Sequence, residues 1–307
     1  MKEIKAEILL ATYNGEKYIR EQIDSILHQK DERWHLTLSD DGSSDGTPVI
    51  LDEYVRKHPQ KISRVYSGRR FGNARDHFYW LIGQCSAEYM LTCDQDDRWY
   101  EDKLGKTLEA LLCAEREQKG PLLVFSDQTP TDAQLNPLVP SLMRYQNHFF
   151  EYFDYRSILM QNVVTGGAMG FNRALANLAL QCRDLSGTIM HDWWLAVVAA
   201  RFGKIVYIDE ALGDYRQHGH NSVGAKNVKS VAYVAGMTKN LKAARKGILS
   251  KKKQAGAFLA AYGDRLLTQD KAFLNGFTKK RSGIGFYVKH RKLLHGCFRF
   301  VGMIVLG

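Results

Sequence analysis

Two short runs of carboxylates carry the first chemical signal. In Asp94-Gln95-Asp96, alternate side chains of an extended segment share a face, so two carboxylates point the same way. Hard oxygen ligands that leave most coordination positions open suit Mg²⁺ or Mn²⁺, and an ion held there would offset the charge of a diphosphate leaving group. The plainer reading is a chance D-x-D in a loop, or a cap for the helix expected near Glu101. In Asp40-Asp41-Gly42-Ser43 a carboxylate can accept a hydrogen bond from the N3–H of uracil or thymine. Equally, Asp40 or Ser43 can close a turn and Asp45 can cap the next helix.

Both runs follow apolar segments that read as strands. Glu7–Tyr13 ends at Asn14-Gly15, Trp34–Leu38 ends at the Asp-rich turn, and Ile62–Tyr66 and Tyr89–Thr92 follow. Apolar residues at helical spacing separate them: Tyr18 to Leu27, Val49 to Tyr54, and about Asp76 to Gln84. Strands alternating with helices predict right-handed βαβ units in an α/β fold with a Rossmann-like, doubly wound, mostly parallel sheet. In such sheets ligands bind beyond the carboxyl ends of the strands, where Thr12-Tyr13-Asn14, Asp40-Asp41 and Asp94–Asp97 fall. No G-x-G-x-x-G follows the first strand and no G-x-x-x-x-G-K-[ST] occurs, which argues against a dinucleotide oxidoreductase or a P-loop NTPase.

Of the 307 residues 45% are apolar and 25% charged, which excludes disordered and collagen-like classes. No apolar run approaches the roughly 18 residues a membrane-spanning helix needs, and Met1–Lys5 lacks a signal-peptide core. Five scattered cysteines without C-x-x-C argue against disulfides or a zinc site. A cytoplasmic protein is expected. The net charge of +10 is uneven: residues 226–307 hold 18 Lys and Arg against Asp264 and Asp270, so the remainder is mildly acidic.

The ordered set of motifs is more specific than its parts. Ala11-Thr12-Tyr13-Asn14-Gly15, Asp40–Thr47 and Asp94-Gln95-Asp96-Asp97-Arg98-Trp99 are followed by Asn162-Val163-Val164-Thr165-Gly166-Gly167-Ala168-Met169. Then come His191-Asp192-Trp193-Trp194 and Tyr215-Arg216-Gln217-His218-Gly219-His220-Asn221. Over about residues 5–225 this resembles the inverting family 2 glycosyltransferases with the GT-A fold. More closely, it is similar to bacterial rhamnosyltransferases that build rhamnose-rich cell-wall polysaccharides.

The resemblance implies roles. Thr12, Tyr13 and Asn14 would line the nucleotide pocket, with Asp41 on the base. Asp94 would face the ribose or the metal, Asp96 would be the main ligand of Mn²⁺ or Mg²⁺, and His218 would contact the metal or diphosphate. Gly166 and Gly167 would wall the donor sugar closely, and Asp192 would be the catalytic base. Each has a plainer rival: a turn at Gly166-Gly167, a helix cap at Asp192, solvent-exposed loop histidines at His218 and His220. Trp99, Trp193 and Trp194 read as core or acceptor-stacking residues. An aspartate near its ordinary pKa of about 3.9 is ionised at pH 7, as a base must be.

The implied domains are a GT-A catalytic domain over 1–225, with a nucleotide-sugar half at 1–127 and an acceptor half at 128–225, and a basic helical tail over 226–307. The implied donor is dTDP-β-L-rhamnose and the acceptor a growing lipid-linked saccharide. Alternatives are a UDP-hexose or UDP-N-acetylhexosamine donor, a sugar nucleotidyltransferase, or a non-catalytic membrane adaptor. Nucleotidyltransferases normally carry a Gly-rich, Arg/Lys-bearing loop after the first strand, where this chain has Asn14-Gly15-Glu16-Lys17-Tyr18. The tail's apolar positions (Val231, Val234, Leu241, Ile248, Phe258, Leu259, Tyr262, Leu266, Leu267, then Phe286 to Phe300) interleave with lysine and arginine. That pattern fits an anionic membrane surface on the inner face of the cytoplasmic membrane, ahead of simple packing on the body and well ahead of nucleic acid.

Overall fold

The alternation of β1 (Ala6–Thr12) sends Ile8 and Leu10 to one face of a sheet and Leu9 to the other, all three fully buried. That double burial requires helices on both faces, and a computed structural model supplies them. The structure describes residues 6–146, 153–218, 241–279 and 282–293. The other strands are β2 (Trp34–Asp40), β3 (Ile62–Val65), β4 (Tyr89–Cys93), β5 (Arg98–Trp99), β6 (Leu122–Thr131), β7 (Met169–Asn172) and β8 (Lys204–Arg216). They form one eight-stranded sheet in the order β3-β2-β1-β4-β7-β6-β8-β5.

The first four strands pair in parallel, as expected, and β6 pairs in parallel with β8. Two short strands, β7 and β5, run antiparallel to their neighbours. β7 is the junction of the sheet, because it pairs with β4 on one side and β6 on the other. At four residues, following the 3-10 turn Gly166–Ala168, it has too little pattern to be seen in sequence.

Helices α1 (Ile19–Leu27), α2 (Thr47–Lys57) and, after α3 (Ala74–Gln84), α4 (Lys103–Glu117) cover one face with Ile19, Ile23, Ile50, Leu51, Leu104 and Leu108. α3 packs on the opposite face. So do the later helices: α5 (Leu142–Tyr145), α6 (Tyr155–Met160), α7 (Arg173–Ala179) and α8 (His191–Phe202).

The tail joins that second core. α9 (Leu241–Tyr262), α10 (Thr268–Thr278) and α11 (Ile284–Lys289) contribute Ile248, Phe258, Tyr262, Phe273, Phe277 and Tyr287 to it, and the link between α9 and α10 adds Leu266. Trp194 of α8 stacks on Tyr262 at 5.9 Å and meets Phe258 edge-on at the same distance. Tyr155 donates to Asp270, which also takes Arg201 in an ion pair at 2.7 Å. Among the described residues, the apolar stripe read above as membrane-facing is therefore largely turned inward. Burying each such side chain gains about 1.5–3 kcal/mol, and the body offers a partner surface. Leu267, Ile284 and Val288 remain exposed. Val231, Val234, Leu294, Phe298 and Phe300, and the expected boundary at 225/226, lie outside the described residues.

Candidate active site

At the end of β1 the chain turns sharply: Asn14 takes φ 48°, a left-handed conformation that asparagine tolerates. Its amide donates to Ser43 Oγ at 2.8 Å, and its Oδ1 accepts from the Ser44 amide at 2.8 Å. Thr12 Oγ1 donates to Asp40 Oδ1 at 2.9 Å. Asp40 also accepts the Gly42 and Ser43 amides and the Ser43 hydroxyl. Gln95 pairs with the Tyr13 backbone in both directions, at 2.9 and 3.0 Å, tying the β1 turn to the β4 turn. The Tyr13 ring is exposed beneath the Arg70 guanidinium at 4.6 Å. Thr12, Tyr13 and Asn14 thus stand together at one strand-end cleft.

Asp41, expected on the base, is engaged by the protein itself. It is buried, and its two oxygens accept the Phe71 amide at 2.5 Å and the Gly72 amide at 2.7 Å. It organises the loop over the cleft, keeping one further lone pair on each oxygen. Asp45, expected at the next helix, accepts the Thr47 amide at 3.0 Å at the start of α2.

A second cluster forms beyond β4. Asp94, Asp97, Gly166, Gly167 and Asp192 come together, although 98 positions of chain separate the first from the last. A Cβ on Gly167 would sit 2.7 Å from Asp97 Oδ2 and 3.0 Å from Asp94 Oδ2; one on Gly166 would sit 3.0 Å from the His191 ring and 3.8 Å from Asp192 Cβ. The pair lies in a 3-10 turn, Gly166–Ala168, and a side chain at Gly167 would displace the buried Asp97 and Asp94 carboxylates. Thr92 Oγ1 pins it by donating to the Gly166 carbonyl at 2.6 Å.

Lys103 offsets the carboxylates here only in part. Burial, with Asp96 and Asp192 close by, pushes Asp94 up to about 7. Asp97 is raised well above the carboxylate range by the same burial and by Asp96 and Asp94. Burial likewise pushes Asp192 up to about 7, against hydrogen bonds from the Trp193 amide at 2.6 Å and the Asn162 amide at 3.2 Å. Asp192 is therefore poised near neutrality instead of near 3.9, because it is withdrawn from water. It sits in the first turn of α8, one residue beyond the start; Met190 is the cap residue and makes no side-chain cap bond. His191 stacks on Phe78 at 4.2 Å, and burial holds it down at about 3, so it is neutral.

Asp96 and His218 meet directly, Oδ2 to Nε2 at 2.7 Å, with the His218 ring stacked on Tyr18 at 5.0 Å. His218 is therefore drawn into the site and is no solvent-exposed loop residue. Among the described residues no three His, Cys, Asp or Glu side chains already converge on one point. His220 lies outside them.

Several residues here were not assigned roles from sequence. Lys103, fully buried on α4, donates to the Gly167 carbonyl at 2.5 Å and lies 4.3 Å from the Trp99 ring; burial lowers it to about 8. Its signal was a lysine in register with the buried stripe Thr107 and Leu111. Gln128 bridges Asp97 and Thr165. Arg216 holds the Asp96 carbonyl at 2.7 Å and Glu21 at 2.5 Å. Trp99 and Trp194 are core residues; Trp193 is half-buried and donates to the Ile158 carbonyl.

Residues 7–177 match the family Glycosyl transferase family 2. The chain is 31% identical over 228 residues to a dTDP-rhamnosyl transferase, RfbG of Shigella flexneri, covering 70% of this chain and 74% of that one. The fold resembles TarS 1–349 of Staphylococcus aureus in complex with UDP-GlcNAc, with TM-score 0.54, 13% identity and coverage of 98% and 84%. It also resembles the mannosyltransferase PcManGT of Pyrobaculum calidifontis in complex with GDP-Man and Mn²⁺, with TM-score 0.51, 14% identity and coverage of 97% and 85%.

Proposed function

The chain belongs to glycosyltransferase family 2, and we propose that within it this enzyme performs a metal-dependent, inverting transfer of L-rhamnose from dTDP-β-L-rhamnose to a lipid-linked saccharide. The observation that carries the mechanism is Asp192, raised to about 7 and set behind Gly166, across the glycine pair from Asp94. A base with that affinity for protons is matched to neutral pH. Asp192 takes the proton of an acceptor hydroxyl while that oxygen forms a bond to the anomeric carbon. The bond from that carbon to the nucleoside diphosphate breaks on the opposite face, so configuration inverts in one displacement.

Thr12, Tyr13, Asn14 and Asp41 frame the nucleotide cleft, and Gly166-Gly167 allow the sugar to approach the carboxylates closely. Asp94, Asp96 and His218 fit a divalent cation by donor type: hard oxygens, one imidazole, and clustered negative charge only partly offset by Lys103. When bound, such an ion neutralises the diphosphate as it leaves.

The rhamnosyl donor rests on the 31% likeness to RfbG. Calorimetric titration with dTDP, UDP, ADP and GDP, in Mn²⁺ and then EDTA, tests both parts. Metal-dependent preference for dTDP is expected. A preference for UDP would keep the mechanism and replace the sugar, and binding unaffected by EDTA would remove the metal.

The proposed catalytic domain and tail, 1–225 and 226–307, are not separable bodies in energetic terms, since Phe258 and Tyr262 complete the core around Trp194. For the membrane, support narrows to Ile284 and Val288 with Lys289, Arg291 and Lys292, which are exposed. Among the described residues no helix is long and apolar enough to cross a bilayer. Reversing those three charges should weaken binding to anionic liposomes and leave nucleotide binding intact; unchanged liposome binding would end the idea.

A further inference from the structure

A groove of about 700 Å³ runs between α3 and the segment after α7, outside the cluster of Asp94 and Asp192. Arg69, Arg70 and Arg183 line it and form no ion pair among the described residues, whereas Arg64, Arg98 and Arg201 elsewhere each hold a carboxylate at 2.6 to 2.7 Å. The carboxylate in its lining, Asp76, is already taken by Arg75 at 2.7 Å and by the Asn73 side chain at 2.9 Å. Phe71 and Trp80 add ring faces, their centroids 5.5 Å apart. Three guanidiniums without an ion pair, Arg69 acting on Asp76 only at longer range, surround a concave surface with aromatic walls and form a receptor for phosphate oxygens attached to a ring or chain.

The groove is coupled to the reaction centre on both sides. Arg70 lies over the Tyr13 ring, and the Phe71 amide binds Asp41, so one end abuts the nucleotide cleft. At the other, Arg75 donates to the Thr188 carbonyl at 2.7 Å. Thr188 is four residues before Asp192, which bounds their separation at about 14 Å even for a fully extended chain. The groove and Asp192 are thus linked through the short Thr188–Asp192 segment.

We propose that this groove binds a phosphate or diphosphate group carried by the acceptor, holding it while its sugar hydroxyl meets Asp192. The assignment to the acceptor rests on the glycosyl-transfer reading; the anion site itself does not.

The test begins with calorimetry on the full chain, with inorganic pyrophosphate in EDTA and, separately, dTDP in Mn²⁺. Arg183→Glu should weaken pyrophosphate binding roughly tenfold, and Arg69→Glu/Arg183→Glu further, with dTDP affinity unchanged. Both arginines are exposed, so the variants should fold. Equal pyrophosphate binding by the variants overturns the site, and a parallel loss of dTDP affinity makes it part of the donor pocket. Pyrophosphate loss in a chain that binds no nucleotide supports the groove while defeating the donor reading. A second arm uses phosphatidylcholine vesicles carrying either a polyprenyl diphosphate or charge-matched phosphatidylglycerol. Arg183→Glu should release only the former; equal release from both makes the groove a general headgroup contact and overturns the acceptor assignment.

Discussion

The carboxylates at the end of β2 and those beyond β4 stand at the same carboxyl-end edge of one sheet but live under opposite conditions. Asp40 and Asp41 are surrounded by amides and hydroxyls that donate to them. Asp45 is held below its ordinary value because donation from Thr47 and Glu16 outweighs burial. Asp94, Asp97 and Asp192 also accept donors, but there burial outweighs them and raises all three. The first group is a finished scaffold that shapes a cleft. The second is an incomplete electrostatic assembly, stable only when protons or cations supply what the protein withholds.

The largest effect that would sharpen this contrast is in Asp192→Asn. Transfer should fall by about 10²–10⁴ with nucleotide affinity unchanged. Because the folded pKa lies above the unfolded value, the protonated form is favoured by folding. Its contribution is full below about 4 and is lost as pH rises through 7. The amide mimics that neutral form, so the variant's Tm should exceed wild type at pH 8 and match it near pH 4. Retained transfer would remove Asp192 as base.

Lys103→Met comes next. Removing the buried lysine leaves Asp94 and Asp97 without their nearest positive charge, which should destabilise by about 3–5 kcal/mol at pH 7, where Lys103, lowered to about 8, still carries its proton. The penalty should shrink toward pH 5, where the carboxylates hold protons, and denaturant titrations at both pH values measure it. A pH-independent loss would mean that the contact with Gly167 matters and the charge does not.

Asp41→Ala probes the finished half. Freeing the Phe71 and Gly72 amides should cost about 1–3 kcal/mol and roughly tenfold in nucleotide affinity. Here the loss should be the same at pH 6 and pH 8, in contrast with Lys103→Met; a marked pH dependence would erase the distinction between the two groups.

What could be read from the chain follows the same division. Strand ends such as Thr12-Tyr13-Asn14 and Asp40-Asp41 were legible, since period-two burial stops abruptly at Gly, Asn and Asp. The meeting of Gly167 with Asp94 was available only through family likeness, because nothing local encodes a contact across 73 residues. The raised pKa of Asp192 was invisible, since burial belongs to the fold and not to the residue. The tail shows a different limit. Phe258 and Tyr262 are spaced for a buried helix face, but spacing does not say whether the face meets Trp194 or a lipid. Lys103 could have been noticed as a charge in an apolar stripe, although the stripe names no partner.

The smallest effect tests the fine adjustment of the incomplete half. The Asn162 amide donates to Asp192 Oδ2 at 3.2 Å, stabilising the ionised carboxylate and lowering its pKa against the larger effect of burial. Asn162→Ala removes that donor, so the acid limb of kcat/KM should move upward by about half a unit, equivalent to about 0.7 kcal/mol. Activity should then fall most below pH 7 and recover at pH 8.5, where Asp192 is ionised in both proteins. Asn162 also brackets Val164 through its own side chain, accepting its amide and donating to its carbonyl, so some loss of stability is expected at every pH. The pH profile separates the two roles, because loosening the loop lowers the whole curve while a weaker donor shifts its midpoint. An unshifted midpoint would show that Asn162 shapes the loop alone, and that burial by itself poises the base.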